Sequence, residues 1–245
     1  MGAMMGRIPR DPAALRAFLR RRFTREGTLG LYLTVGFIAS AILVTILTLV
    51  VHEVFEIQGP GPVDRAVTMA VFRLHSHTLD TIMLNLTHLG NVTFLMPATI
   101  LVSILFALQH HRVSALLFLG SVIGGYALES LMKIVFRRDR PDLWPALVSE
   151  RTYSFPSGHA TVCTLFFGTC AAVVFHSTRR RGPRIAAVAI AVFLSLAISF
   201  SRIYLGAHWL TDVCAGMLLG LFWVVVCATG TEYFARGRAK PEESS

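Results

Sequence analysis

Six long apolar stretches without charged residues constrain this chain more than any other feature of its sequence. They cover residues 27–51, 89–109, 113–128, 160–175, 185–201 and 213–231. A helix needs about 20 apolar residues to cross the hydrocarbon core of a bilayer, and 54% of all residues here are hydrophobic. The sequence therefore predicts an all-α polytopic membrane protein, a helical bundle with six transmembrane helices.

Three of these stretches are too short to cross the bilayer unless the polar residues at their ends are included. Glu129 and Lys133 follow the stretch 113–128, His159 precedes the stretch 160–175, and Arg202 follows the stretch 185–201. Ionisable groups at membrane depth are candidates for functional residues. The alternative is that the long basic side chains extend to the lipid head groups.

The formal net charge of +9 is explained by its distribution between the two membrane sides. With six spans, one side holds 15 of the 23 Lys and Arg residues and 5 of the 14 acids. Basic loops remain on the cytoplasmic side, so both termini are expected in the cytoplasm. The protein is expected in the inner membrane of a bacterium. Anionic membrane lipids account for the basic face, and no nucleic-acid partner is implied.

The chain divides into three regions. Residues 1–26 form a basic cytoplasmic segment, either an amphipathic helix on the membrane surface or a disordered arm. Residues 27–233 form a single six-span domain, and residues 234–245 form a cytoplasmic tail. Between the first two spans, apolar residues at helical spacing in 63–74 predict an interfacial helix on the external side.

Positive charge on the external side is concentrated after the third span. Five of the eight Lys and Arg residues on that side fall within residues 133–151, including Lys133 and Arg140. This clustering indicates an anionic ligand. For Arg137 and Arg138 the alternative is that they simply face water or lipid phosphates.

Two further motifs follow on the same side. Pro156-Ser-Gly-His159 precedes an apolar run, with Pro156 suited to the first turn of a helix. The N–H groups of Ser157 and Gly158 would then face a phosphate. Next come Arg202, His208 and Asp212. The four-residue spacing of His208 and Asp212 places them on one helix face, where the carboxylate would fix the imidazole tautomer for nucleophilic attack.

Taken together, the three motifs resemble the type 2 phosphatidic acid phosphatase superfamily, which also includes vanadium haloperoxidases. The chain matches eleven fixed positions between residues 133 and 212, which are Lys133, Arg140, Pro141, Pro156, Ser157, Gly158, His159, Ser201, Arg202, His208 and Asp212. The resemblance extends to the six-span layout of the membrane branch of this superfamily.

The resemblance implies a role for each of these residues. His208 would be the nucleophile, Asp212 would orient it, and His159 would protonate the leaving oxygen. Phosphate would be bound by Lys133, Arg140, Ser157, Gly158 and Arg202. No Asp, Glu, His or Cys cluster has metal-ligand spacing, so we expect no metal and no cofactor.

These features predict a metal-independent phosphatase that hydrolyses a lipid phosphate monoester or diphosphate through a phosphohistidine at the external membrane face. Candidate substrates are undecaprenyl diphosphate, phosphatidylglycerophosphate and phosphatidic acid. The alternatives are a lipid phosphotransferase with the same intermediate, a lipid A phosphatase, a haloperoxidase, and a lipid-binding or transport protein without activity.

Overall fold

A computed structural model of the chain describes residues 28–56, 59–109 and 112–237. Within these ranges every regular secondary-structure element is a helix, which confirms the predicted all-α class. The basic segment 1–26 and residues 238–245 of the tail lie outside the described residues. The helices are α1 (Thr28–Glu56), α2 (Pro62–Phe72), α3 (His77–His88), α4 (Val92–Leu108), α5 (Arg112–Phe136), α6 (Gly158–Ser177), α7 (Arg181–Tyr204) and α8 (Leu210–Gly237).

Five helices, α1, α5, α6, α7 and α8, are each long and apolar enough to cross a membrane. The helices α3 and α4 meet at an angle of 42° and together qualify as a sixth span. The second predicted span therefore starts earlier than its apolar stretch and is bent. The bend follows from local capping, because the side chain of Asn91 accepts a hydrogen bond from Thr93 N at 3.0 Å and starts a new helix there.

The polar ends of the short apolar stretches are helical, as the sequence predicted. Lys133 lies in the last turn of α5, His159 is the second residue of α6, and Arg202 lies near the end of α7. Because successive spans alternate in direction, the ends of α5 and α7 meet the starts of α6 and α8. We call this part of the bundle the His208 end. The helix predicted within residues 63–74 is present as α2.

Helix α6 lies at the centre of the bundle and packs against α5, α7 and α8, while α1 packs on α8. One buried cluster joins α4, α5, α6 and α7 through Leu95, Phe118, Val122, Val162, Cys163, Phe166 and Ile198. By contrast, Phe37 on α1 and Phe193 on α7 are 75% and 68% exposed. An apolar exterior of this kind is suited to contact with lipid tails.

Two glycines on α8 permit a close approach to α6. A Cβ atom added to Gly216 would lie 2.6 Å from the carbonyl oxygen of Ser157, and one added to Gly220 would lie 2.8 Å from that of Thr161. Small residues four apart are typical of closely packed membrane helices. This packing holds the start of α8 beside the start of α6, where the backbone N–H of Ser157 donates to the carbonyl of Asp212 at 3.0 Å.

Candidate active site

His208 lies in the turn between α7 and α8, and not on a helix as its spacing from Asp212 suggested. Helix α8 begins only at Leu210, because an Asp212 carboxylate oxygen accepts a hydrogen bond from Trp209 N at 2.9 Å and caps the new helix. Gly206 has φ +71° in this turn, a left-handed conformation that favours glycine. The prediction of one shared helix face was therefore wrong, although the two side chains are neighbours.

His208 and Asp212 form a buried pair. Asp212 Oδ2 lies 3.5 Å from His208 Nδ1, and both residues are almost fully buried. The other ring nitrogen, Nε2, is 3.2 Å from a terminal nitrogen of Arg140. A guanidinium group can only donate, so Nε2 is the acceptor and Nδ1 carries the proton. This is the tautomer in which Nε2 carries the lone pair, which accepts from Arg140 here and would turn to phosphorus when a substrate takes the place of that contact.

Asp212 is itself held by three groups. One carboxylate oxygen accepts from Arg138 at 2.5 Å, and the other accepts from the Ser154 hydroxyl and from Trp209 N. These three hydrogen bonds stabilise the ionised form of the carboxylate and fix its orientation. The carboxylate beside His208 is therefore immobilised before any substrate arrives.

Arg138 joins this carboxylate to helix α2. Its side chain is 8% exposed and its second terminal nitrogen lies 2.7 Å from Asp64 Oδ2. Asp64 also accepts from the backbone N–H and hydroxyl of Thr211, at 2.9 and 2.7 Å. The sequence left open whether Arg138 belongs to the anion site or faces water or lipid phosphates. In the structure its side chain is buried and faces neither water nor lipid. Asp64 was not identified as a site residue, because an acid in the first turn of an amphipathic helix is typical of a surface position.

Arg140 forms one wall of the site. Its Nε donates to the carbonyl oxygen of Thr152 at 2.8 Å, and one terminal nitrogen donates to that of Ala207 at 2.8 Å. The same nitrogen approaches His208. The guanidinium group is therefore fixed in position by backbone acceptors, and no carboxylate among the described residues forms an ion pair with it.

Lys133 lies beside Arg140, since both donate to the Thr152 hydroxyl, and it is paired with a buried acid. Its Nζ lies 2.9 Å from Glu129 Oε1, one helical turn earlier on α5, and donates to the Thr152 hydroxyl at 3.3 Å. Glu129 is 2% exposed. Its carboxylate therefore offsets the cost of placing the ammonium group at membrane depth.

Arg202 is 1% exposed and contacts two residues that the motifs did not indicate. One terminal nitrogen donates to the Thr87 hydroxyl at 2.7 Å, and the other is ion-paired with Glu150. Thr87 belongs to α3, the helix that the apolar pattern missed. Glu150 follows no spacing rule relative to Arg202, so only the folded chain reveals this pair.

The three cations converge on His208 and set its charge. Burial, and then the charges of Arg140, Arg202 and Lys133, hold the pKa of His208 well below its usual range. Burial also lowers the pKa of Arg140, although neighbouring carboxylates oppose this effect. His208 is consequently neutral at physiological pH, the state that a nucleophile requires.

The start of α6 completes the site. The helix begins at Gly158, so Pro156 lies before it and not in its first turn as predicted. The N–H of Ser157 is engaged by Asp212, which leaves the N–H groups of Gly158 and His159 without partners inside the helix. The buried Ser157 hydroxyl has no hydrogen-bond partner among the described residues. These donors, at the positive end of a helix dipole, are suited to an anion.

His159 approaches the same group of charges. It is half-buried, interacts electrostatically with Arg202, His208, Lys133 and Arg140, and packs so closely on Gly90 that an added Cβ would lie 3.2 Å from its ring. The sequence-predicted residues are thus brought together, two imidazoles with three cations and a helix start. Within the described ranges, no group of three or more His, Cys, Asp and Glu residues could hold a metal ion.

Comparison with known proteins gives a consistent result. The model of the PAP2 superfamily matches residues 114–236. Phosphatidylglycerophosphatase B of Bacillus subtilis is 31% identical over 72% of this chain and 87% of its own length. An undecaprenyl-diphosphatase of Sulfolobus acidocaldarius is 30% identical over 58% of this chain and 66% of its own length. A lipid A 1-phosphatase of Rhizobium johnstonii is 31% identical over 50% of this chain and 49% of its own length.

Solved structures extend the similarity to the fold. A crystal structure of a transmembrane PAP2-type phosphatidylglycerolphosphate phosphatase from Bacillus subtilis superimposes with a TM-score of 0.69 at 25% identity, covering 83% of this chain and 98% of that one. A second structure, Aquifex aeolicus LpxE, gives a TM-score of 0.50 at 22% identity over 66% of this chain and 92% of that one. The second likeness supports the fold alone.

Proposed function

The chain belongs to the PAP2 superfamily and is a lipid phosphatase, and we propose that it acts through a phosphohistidine formed on His208. Its substrate is a lipid phosphate monoester or diphosphate, the class named for its relatives. One observation carries this proposal. His208 Nε2 accepts a hydrogen bond from a terminal nitrogen of Arg140 at 3.2 Å, so this ring nitrogen carries no proton.

The reaction has two steps. His208 Nε2 attacks phosphorus, the bond between phosphorus and the lipid oxygen breaks, and His159 gives its proton to that oxygen. Water then attacks the phosphohistidine, His159 takes a proton from the water, and the bond between nitrogen and phosphorus breaks to release inorganic phosphate. Asp212 stabilises the positive charge that develops on the His208 ring in the first step.

Fixed positive groups supply the electrostatic stabilisation. Lys133, Arg140 and Arg202 bind the non-bridging oxygens, with the Ser157 hydroxyl and the Gly158 N–H as further donors. Positioning and charge neutralisation contribute most of the catalysis in phosphoryl transfer. We therefore expect turnover to persist in excess chelator, and a loss of activity that magnesium restores would contradict metal independence.

Trapping the intermediate tests the proposal. Rapid denaturation of the purified protein during turnover of a lipid with labelled phosphate should leave an acid-labile, alkali-stable label on the chain. His208→Ala should abolish both label and turnover. His77→Ala, which alters an exposed histidine, should retain both. Turnover by His208→Ala would refute the covalent mechanism.

We place the site at the external face of the cytoplasmic membrane, because the basic loops belong to the opposite side. A phosphotransferase would use the same phosphohistidine and differ only in the acceptor. Product analysis with alcohol acceptors distinguishes the two, since a transferase forms a new phosphate ester in place of inorganic phosphate. Lipid A phosphate is the alternative substrate, indicated by the similarity to a lipid A 1-phosphatase.

A further inference from the structure

Asp64 is a buried acid to which neither the motifs nor the proposed catalytic steps give a role. It lies in the first turn of α2, which is not one of the candidate spans, and is 1% exposed. Its partners, Arg138 and Thr211, are 74 and 147 residues away in sequence. A buried carboxylate is unfavourable unless it is paired and hydrogen-bonded. The fold nevertheless places this acid beside the candidate active site.

Both carboxylate oxygens of Asp64 accept hydrogen bonds. Oδ1 accepts from the backbone N–H of Thr211 at 2.9 Å, which is one of the N–H groups without a partner inside the helix at the start of α8. Oδ2 accepts from the Thr211 hydroxyl and from Arg138, each at 2.7 Å. Asp64 therefore caps α8 from a different helix, and the dipole of α8 favours a negative charge there.

Arg138 links Asp64 to Asp212. One terminal nitrogen lies 2.7 Å from Asp64 Oδ2, and the other lies 2.5 Å from Asp212 Oδ1. The second nitrogen also donates to the Thr211 hydroxyl at 2.7 Å, so this hydroxyl accepts from Arg138 and donates to Asp64. The guanidinium group is held on the Asp64 side by fixed acceptors, and it in turn holds the Asp212 carboxylate in one orientation.

The charges of these three side chains suit the covalent intermediate. Two carboxylates and one guanidinium group carry a net charge of −1, and all three side chains are almost fully buried, so water screens them little. When His208 Nε2 bonds to phosphorus, its ring becomes positively charged because Nδ1 keeps its proton. The net charge of −1 balances that ring. Without the charge of Asp64, Arg138 would cancel Asp212 and leave the ring without a counter-charge.

We propose that Asp64 is a positioning residue for phosphoryl transfer and acts on Asp212 through Arg138. Among the described residues its hydrogen-bond partners are Arg138 and Thr211, and neither is expected to bind the substrate phosphate. Asp64 should therefore affect the attack on phosphorus and leave substrate binding unchanged. This inference rests on the proposed function, because it needs His208 to be the nucleophile that Asp212 orients.

Separate measurement of kcat and KM in the full chain tests this role. Asp64→Asn keeps the size of the side chain and an oxygen that can accept from Thr211 N, but it removes the charge. We expect kcat for phosphate release from a lipid phosphate to fall on the order of ten- to a hundredfold, as it does when the outer partners of a reactive group are changed. KM should stay within about twofold of the wild-type value. An unchanged kcat, or a rise in KM alone, would overturn the inference.

Thr68→Val is the matched control. Thr68 lies one turn after Asp64 on the same buried face of α2, is 0% exposed, and has a hydroxyl without a hydrogen-bond partner among the described residues. This variant keeps the shape of the side chain and should retain the wild-type kcat. If Thr68→Val lowers kcat as much as Asp64→Asn does, the packing of α2 matters and the charge of Asp64 does not, so the inference is wrong.

Thr211 tests the same connection without removal of a buried charge, and it decides the matter if Asp64→Asn does not fold. Thr211→Val removes the hydroxyl between Arg138 and Asp64 and should lower kcat at least about threefold, and Thr211→Ser should restore it. An equal kcat in the two variants would contradict the inference.

The rate of phosphohistidine formation separates this inference from the proposed function. In a rapid-quench experiment with labelled lipid phosphate, Asp64→Asn should form the labelled chain more slowly than the wild type. If Asp64→Asn forms it at the wild-type rate, only the positioning role is refuted. If the wild-type chain forms no label, the proposed phosphohistidine fails and the role of Asp64 fails with it.

Discussion

Glu150 is the residue that competes most directly with a substrate phosphate. Its carboxylate is paired with Arg202, one of the cations expected to bind the non-bridging oxygens. An anion that approaches Arg202 must first displace this carboxylate. Glu150 is 28% exposed and can turn towards water, whereas Arg202 is 1% exposed, so the incoming anion must replace the carboxylate as the partner of the buried charge.

Glu150→Gln should therefore strengthen the binding of phosphate and of vanadate. The amide keeps the shape of the side chain but removes the charge that occupies Arg202, so the inhibition constants should fall roughly three- to tenfold. Glu53→Gln, at an exposed acid near the same end of the bundle, should leave them unchanged. Weaker inhibition in Glu150→Gln would mean that the carboxylate supports Arg202 and does not block it.

The ionisation of His208 determines how activity depends on pH. Burial and the three cations lower the pKa of His208 in the folded protein, below the value of about 6.5 for an unperturbed histidine. The neutral nucleophile therefore persists as the pH falls through 6.5, and the loss of kcat/KM due to its protonation should occur at lower pH. The check is a pH profile of kcat/KM, corrected for ionisation of the substrate phosphate. If the fall in kcat/KM that His208 protonation causes has its midpoint at or above pH 6.5, the prediction is wrong.

At the scale of helices, hydropathy predicted the spans well and the polar connections poorly. Apolar length identified α1, α5, α6, α7 and α8 because the bilayer requires it. It missed α3, where His77, Asp80 and His88 interrupt the pattern. Motif spacing grouped the cations and imidazoles, but Asp64 and Glu150 depend on contacts between segments far apart in sequence, which no local pattern records.

The close approach of α8 to α6 sets the distance between Asp212, at the start of α8, and the backbone donors at the start of α6. Gly216 faces the carbonyl of Ser157, and the start of α8 carries Asp212. Gly216→Ala would place a methyl group 2.6 Å from that oxygen. A backbone atom cannot yield as a flexible side chain can, so the helices must separate.

Gly216→Ala should lower the free energy of unfolding by about 1–3 kcal/mol, the usual cost of overpacking, and should reduce kcat further by displacing Asp212 from His208. Thermal unfolding in detergent and phosphate release measure the two effects. Gly230→Ala on the same helix, where an added Cβ meets nothing within 4 Å, should be tolerated. Equal behaviour of the two variants would show that the close approach is unimportant for the site.

For the whole molecule, the distribution of charge determines which face of the membrane the site meets. Three successive arginines at positions 179–181 lie in the loop between α6 and α7 and at the first residue of α7, whereas the catalytic loops lie at the other end of the bundle. Basic loops are retained in the cytoplasm. The His208 end should therefore face the exterior, and lipid phosphates of the external leaflet should reach it directly.

Cysteine labelling tests this orientation in intact bacterial cells. A membrane-impermeant thiol reagent should label Arg151→Cys, an exposed position at the His208 end, without lysis. Arg180→Cys, exposed at the opposite end, should be labelled only after the cells are permeabilised. The native cysteines provide the background in an unmodified chain. If the reverse pattern were found, the enzyme would hydrolyse lipid phosphates on the cytoplasmic side, and the surplus of arginines around α6 and α7 would need a cause other than membrane insertion.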